Sequence, residues 1–435
     1  MALHWDQTPK RQGLYDPTHE SDACGVGAVM DMGKKPSRKT LTDARDMVVR
    51  MTHRGAKQAH EDDGDGVGIM ISIPDEYYRT CCTFALPEAG SYGVGNLFMP
   101  PQEEKREDSI KLVERMARKL GLQVIGWRAP LPVNSLVLGP YARTTEPFIA
   151  QVFVTLAEAD APDSAGEEKK SSTSAARKTA GLNLETRLFL LRRAVALRDR
   201  EVFVCSLSSR TIVYKGQFKP SQLFEYYLDL KAEKCTAFLA IVHSRFSTNS
   251  FPSWNRAHPF RRIAHNGEIN TLAGNRNSIR TREALMNDTA AFGGAQLDAF
   301  FPVDEDIGSD SALLDNVVEL LLAAGTRELA EVIMMVIPEA WQNADRMEPE
   351  KKAFYKYLSC VMEPWDGPAL ATRQKVLSEV DEDEEEQAIV VIFSQWVQFK
   401  GRLRPGRMLL VDFSEGKLIE DNELLAYKKG NGTCM

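Results

Sequence analysis

Cys24-Gly25-Val26-Gly27-Ala28-Val29-Met30 is a short strand-like run that opens on a thiol, and the status of its first residue decides how the chain is read. The segment before it is polar and carries Pro9, Gly13 and Pro17, so residues 1–23 are expected to be a leader that is removed. Cys24 would then be the first residue of the working chain. A terminal cysteine joins a nucleophilic sulfur to a free α-amine, whose ordinary pKa near 8 suits proton transfer at neutral pH. One residue would supply both nucleophile and base.

Composition narrows the field. The chain has 435 residues, 43% hydrophobic and 26% charged, which is the profile of a globular protein with a large core. Its 54 Lys and Arg against 61 Asp and Glu give a formal charge of −7, so it lacks the basic footprint of a nucleic-acid or anionic-membrane binder. Seven scattered cysteines, an odd number, argue against a disulfide framework, and no CxxC pair or Cys/His cluster suggests zinc or iron–sulfur ligation. The leader has no apolar signal core and no apolar run reaches about 18 residues. A reducing, cytoplasmic setting is the expectation.

Apolar runs at about 25–30, 66–73, 92–98, 148–156, 202–207, 211–215, 237–246 and 261–269 predict strands. Leu41, Ala44, Met47, Val48 and Met51 fall on one helical face, with Gly55 as a stop. Ser109–Leu120, Leu184–Leu197 and Ala312–Ala324 predict further helices. Strands and helices mixed in this way predict an α+β or layered α/β domain. Residues 161–180 are small, charged and aperiodic, as in a surface insertion, while Glu379–Glu386 places seven carboxylates in eight positions, as in a solvated linker.

Five polar clusters fall where regular elements end. Thr52-His53-Arg54-Gly55-Ala56 offers an arginine fork for a carboxylate, or a helix-end arginine. Glu61-Asp62-Asp63-Gly64-Asp65-Gly66-Val67-Gly68 suggests calcium or a dinucleotide, but Ser72 stands where an EF-hand needs a bidentate carboxylate. Its glycines also lead into a strand rather than a helix, so a tight turn is expected. Ile241 to Asn249 runs from a strand into a polar loop, where Arg245 can meet a ligand, and His243 reads as structural. In His265-Asn266-Gly267-Glu268, the Asn266 amide and the Gly267 N–H could form an oxyanion hole or a plain turn. Asp310, in Gly308-Ser309-Asp310-Ser311, could cap a helix or hold a ligand ammonium.

Taken in order, these stretches resemble the class II glutamine amidotransferases, and most closely the amidotransferase domain of glutamate synthase large subunits. The resemblance rests on CGVG at 24–27, THRGA at 52–56, DGDGVGI at 63–69, HSRFSTNSFPSW at 243–254, HNGEINT at 265–271, SDSALLDN at 309–316, PWDGP at 364–368 and KGRLRPGRMLLVD at 400–412. It implies an N-terminal-nucleophile hydrolase of class α+β, a four-layer α/β/β/α sandwich spanning residues 24–413 with a tail at 414–435. It also implies hydrolysis of L-glutamine to glutamate and ammonia for glutamate biosynthesis. Cys24 would attack the carboxamide, Asn266 and Gly267 would hold the oxyanion, Arg245 and Asp310 would bind the α-carboxylate and α-ammonium, and Arg54 would help position the nucleophile.

Two departures qualify the resemblance. Residues 369–399 differ from the family pattern and contain the acidic run, so the sandwich would be incomplete near its C-terminus, with unpaired edges, unless this segment supplies strands; Ala388–Phe393 is the one candidate. The FMN and iron–sulfur parts of a synthase have no counterpart in these residues, so no cofactor is expected in this chain. The rival readings are the amidotransferase domain of another ammonia-using synthase and a truncated fragment that binds glutamine or a partner without turnover.

Overall fold

The computed structural model describes residues 25–54, 60, 62–157, 182–244, 251–265, 269–286, 300–305, 309–324, 327, 329–344, 347–365, 371–374, 387–389, 409–412 and 417–420. The leader, the 161–180 insertion, the acidic run and residues 421–435 lie outside them.

Three antiparallel sheets organise the molecule. The first has the order β1-β8-β2-β7, built from β1 (Val26–Met30), β8 (Leu239–His243), β2 (Val67–Ser72) and β7 (Thr211–Gly216). Helix α1 (Arg38–Arg50) starts at Ser37, whose hydroxyl accepts the Thr40 N–H, and buries Leu41, Ala44 and Val48. It packs on β1 and β8 so closely that a Cβ at Gly27 would meet the Met47 sulfur at 2.0 Å. A side chain at position 27 would oblige the flexible end of Met47 to move.

The second sheet has the order β4-β5-β3-β6, from β4 (Leu122–Arg128), β5 (Phe148–Leu156), β3 (Tyr92–Met99) and β6 (Phe203–Ser208). Helices α3 (Glu103–Lys119) and α5 (Leu184–Arg198) cover it, joining Leu112, Val113 and Met116 to Leu188, Leu191, Val152 and Val154 in one core. Asn96 crosses to the first sheet, donating from its amide to the Val213 carbonyl at 2.9 Å. Between these lie the shorter helices α2 (Asp75–Cys81), α4 (Pro140–Thr144) and, later, α6 (Leu223–Tyr226).

The third sheet has the order β13-β12-β11-β10-β9, from β9 (Ala264–His265), β10 (Ala371–Gln374), β11 (Gln387–Ile389), β12 (Leu409–Asp412) and β13 (Lys417–Glu420). Ala264 and Val411 of this sheet join Val26, Ala28, Met70, Val213, Leu239 and Ile241 of the first sheet in a common apolar cluster. The remaining helices are α7 (Leu272–Leu285), α8 (Asp310–Ala323), α9 (Leu329–Val336) and α10 (Pro349–Val361).

The class is therefore α+β, as expected. The expectation of unpaired edges around residues 369–399 needs correction: β10 pairs with β9 on one side and β11 on the other, and β11 pairs with β12. Ladder bonds use backbone groups, so a strand can form on residues such as Ala371–Gln374, which carry no apolar alternation. Ala388 and Ile389 of the Ala388–Phe393 candidate fall in β11, and the rest of it lies outside the described residues.

The DGDGVG segment is a structural turn, as read. Asp63 is buried and its carboxylate accepts the N–H groups of Tyr141 and Ala142, at 3.1 and 2.9 Å, at the start of α4. Gly64 abuts the Phe218 carbonyl, where a Cβ would come within 2.0 Å, and Gly66 has φ of 153°.

Candidate active site

Sheet register brings the flanks of the candidate residues together. Val26 lies opposite His243, and one step further the Ser244 N–H donates to the Gly25 carbonyl at 2.8 Å. Gly25 and Ser244 are the covalent neighbours of Cys24 and Arg245. The His243 ring then donates from Nε2 to the His265 carbonyl at 2.9 Å, tying the end of β8 to the end of β9.

The turn into β9 is held by one carboxylate. Asp315, fully buried on α8, accepts the backbone N–H groups of Arg261, Arg262 and Ile263 at 3.3, 2.7 and 3.0 Å. The same helix begins at the site. Ser309 caps α8 by accepting the Ala312 N–H, so the capping role considered for Asp310 belongs to its neighbour. Asp310 occupies the first turn, with Oδ1 accepting the Ser311 N–H and hydroxyl at 2.7 and 3.1 Å and Oδ2 accepting the Ile269 N–H at 3.3 Å.

Of the predicted residues, Asp310 is placed at this junction with its side chain described. Arg54 ends a 3-10 turn, Met51–Arg54, that follows α1; its side chain lies outside the described residues, as do Cys24, Arg245, Asn266 and Gly267. The described residues next to them, Gly25, Ser244 and His265, are linked to one another or to α8 by the bonds above.

Two features of this region escaped the sequence reading. His243, His258 and His265 form a buried aromatic cluster, with His258 stacked on His243 at 4.6 Å and edge-on to His265 at 5.2 Å. Burial, then the neighbouring imidazoles, push His258 well below its ordinary value, and burial lowers His265. Both rings are therefore neutral at physiological pH. The second feature is the bond between His265 Nε2 and the Ser311 hydroxyl, 2.6 Å long. Neither serine nor histidine carries a spacing signal for it, because the partners are 46 positions apart.

Behind α8 lies a buried ion network. Glu319 contacts Arg192 at 2.5 Å and Arg261 at 3.3 Å, while Arg192 and Arg193 share Glu305. Burial alone would raise the Glu319 pKa, yet Arg192, Arg261 and Arg262 hold it down at about 2. The network anchors Arg261 directly before the strand that carries His265.

Lys215 is also fully buried, donating to the Asn255 carbonyl at 2.9 Å between the Phe203 and Phe260 rings. Burial lowers its pKa to about 7 from 10.5. Because the folded value lies below the unfolded one, the cost of burying the ammonium is full below pH 7 and fades as pH rises toward 10.5. Unfolding free energy should therefore gain up to about 1.4 kcal/mol per pH unit from this group above pH 7. Urea titrations between pH 7 and 9 should show that slope shrinking in Lys215→Met; an unchanged slope would contradict the assignment.

Burial pushes the thiols of Cys205 and Cys235 up to about 12, which makes them poor nucleophiles. Cys81 differs: its bond with Cys82 and the nearby Arg128 bring it to about 7. It sits at the end of α2, where Arg128 and Asp229 act on it. Among the described residues no cluster of three or more His, Cys, Asp or Glu could hold a metal, and no helix is long and apolar enough to cross a membrane.

The family model for class-II glutamine amidotransferases matches residues 24–375 and 384–431. The chain is 41% identical over 444 residues to the NADH glutamate synthase of Schizosaccharomyces pombe, covering 96% of this chain and 20% of that protein. It is 37% identical to the large chain of the NADPH glutamate synthase of Bacillus subtilis, with 97% and 28% covered, and 35% identical to ferredoxin-dependent glutamate synthase 1 of Arabidopsis thaliana, with 96% and 26% covered. The chain thus spans between a fifth and under a third of the length of these relatives.

Proposed function

Since the chain belongs to the class II glutamine amidotransferases and matches a part of glutamate synthases, we propose that it carries the glutaminase half-reaction of such a synthase, with Cys24 as its processed N-terminal nucleophile. The junction of β1, β8, β9 and α8 is the observation that carries this reading, because it ties the described neighbours of Cys24, Arg245 and Asn266 to the helix bearing Asp310. The family match beginning at residue 24 supports the processing site.

In this mechanism the Cys24 sulfur adds to the glutamine carboxamide carbon while its α-amine takes the thiol proton. The carbonyl oxygen becomes an oxyanion held by the Asn266 amide and the Gly267 N–H. Collapse expels ammonia, which receives the proton from the α-amine, and leaves a thioester. Water then hydrolyses the thioester, with the same amine as base, releasing glutamate and restoring the thiol. Arg245 pairs with the substrate α-carboxylate, Asp310 with its α-ammonium, and Arg54 positions the terminus. The nucleophile, the proton carrier and the oxyanion donors all come from the chain, so these steps call on no cofactor.

The apolar cluster between the first and third sheets, with α1 packed on the outer side of one and α8 bonded to the strand end of the other, supports a four-layer α/β/β/α sandwich. The ammonia acceptor, and any FMN or iron–sulfur chemistry, would belong to the larger remainder of a synthase. A domain that starts at residue 24 and runs past the expected end at 413 to take in β13, together with a cytoplasmic setting, completes the proposal, the latter on the polar leader and the odd cysteine count.

Ammonia release from L-glutamine tests the reading. Turnover by the chain is expected, and stoichiometric glutamine binding without ammonia would favour a non-catalytic fragment. Asn266→Ala should lower kcat by about 10²-fold as an oxyanion donor is lost. Unaltered turnover in that variant would remove Asn266 from the site.

A further inference from the structure

The bonds around Asp310 can be counted against its capacity. An ionised carboxylate offers roughly four lone-pair directions, two on each oxygen. Oδ1 already accepts both the N–H and the hydroxyl of Ser311, and Oδ2 accepts the Ile269 N–H. One direction, on Oδ2, is left for a substrate ammonium. Its aim depends on what fixes the carboxylate plane.

The Ser311 hydroxyl fixes it from one side, and that hydroxyl is itself held. A hydroxyl has a single proton, so when Ser311 donates to Asp310 its oxygen is an acceptor for His265 Nε2–H, at 2.6 Å. The imidazole is then in its Nε2–H form. Its backbone is anchored in turn, because the His265 carbonyl accepts from the His243 ring at 2.9 Å. His265 and Ser311 are both buried, at 3% and 1% exposure, so water does not substitute readily for a lost partner.

We propose that His265 is a positioning residue for substrate recognition: through Ser311 it sets the orientation of the Asp310 carboxylate toward the α-ammonium of glutamine, and it locks that carboxylate to the end of β9. The inference rests on the glutaminase reading and adds to it a determinant of selectivity for α-amino amides. His265 touches no reacting atom. Its effect should appear only with substrates that carry the ammonium.

The test compares hydrolysis of L-glutamine with that of 4-carbamoylbutanoate, which keeps the carboxylate and amide but lacks the amine. His265→Ala should reduce kcat/KM for glutamine by about tenfold, the scale of one lost hydrogen bond in a charged array, and leave the amine-free compound nearly unaffected. His265→Gln, whose amide N–H can reach Ser311, should recover most of the loss. Ser311→Ala should resemble His265→Ala, and the double variant should be no worse than either single one, because both act along one path. Equal losses on the two compounds, no recovery with glutamine at position 265, or additive losses would each overturn the proposal. Absence of turnover in the unaltered chain would contradict the parent reading instead, and calorimetric affinities for the same two compounds would then decide the role of His265.

Discussion

Replacement of Cys24 by alanine is expected to abolish ammonia release from glutamine while the melting transition stays where it was. The loss should be complete because the residue supplies two functions at once. Removing the sulfur removes the bond-forming atom, and no neighbouring base compensates for a missing nucleophile. The other thiols make the prediction specific. Cys205 and Cys235 are buried and held protonated, so they cannot take over. Cys81, brought to about 7, is more reactive than these two, yet the groups that act on it, Cys82, Arg128, Asp229 and Tyr77, are none of those bonded to Asp310. Cys81→Ala should therefore retain full turnover. Activity surviving in Cys24→Ala and vanishing in Cys81→Ala would reverse the assignment.

The largest effect on stability is expected at Glu319. Its carboxylate lies among Arg192, Arg261 and Arg262, with both it and Arg192 almost wholly buried. Glu319→Ala would strip one carboxylate from the buried guanidinium cluster and leave Glu305 and Asp315 to balance Arg192, Arg193 and Arg261, where losing one member of a buried pair costs up to about 3–5 kcal/mol. Against a total of roughly 5–15 kcal/mol for a folded domain, that is a large share. Urea denaturation should show the midpoint falling steeply. Replacing the surface-exposed Lys111, paired with Glu107 at 3.6 Å, should by contrast change little. A Glu319→Ala midpoint equal to that of the unaltered chain would show that the network contributes no net stability.

Much of the α+β frame was legible because burial writes itself into the pattern. β1, β2, β3, β5, β6, β7 and β8 appear as apolar runs, α1 and α3 as stripes closed by a stop, and α5 and α8 as apolar segments buried on every side. β4 was not read. Its register shifts between Val124 and Gly126, which breaks the alternation, and Gly126 faces the Phe84 ring where a side chain would collide. α7 was missed for another reason: Leu272–Leu285 is mostly polar, and Ile279 is its one buried apolar side chain among those described. In the third sheet β9 falls in the run read at 261–269 and the start of β11 in the Ala388–Phe393 candidate, whereas β10, β12 and β13 are only four residues each, too short for a periodic signal.

The site divides in the same way. Asp310 stands out as a candidate from its position at the start of an apolar helix, although the cap itself is Ser309. The support around it was not identifiable. His265 meets Ser311, and Asp315 meets the turn at 261–263, across some 50 residues of sequence, and no local spacing encodes such contacts. His243 was read as structural, and its bond to the His265 carbonyl gives that role a definite content: it joins two strand ends of different sheets.

The account stands or falls on Cys24 being the terminal nucleophile, and an intact-mass measurement before and after reaction with a diazoketone analogue of glutamine tests this most directly. Active protein is predicted to begin at Cys24, lacking the 23 preceding residues, and to gain one equivalent of label on the peptide that starts there. An active chain that still carries residues 1–23, or a label that maps to Cys81, would contradict it.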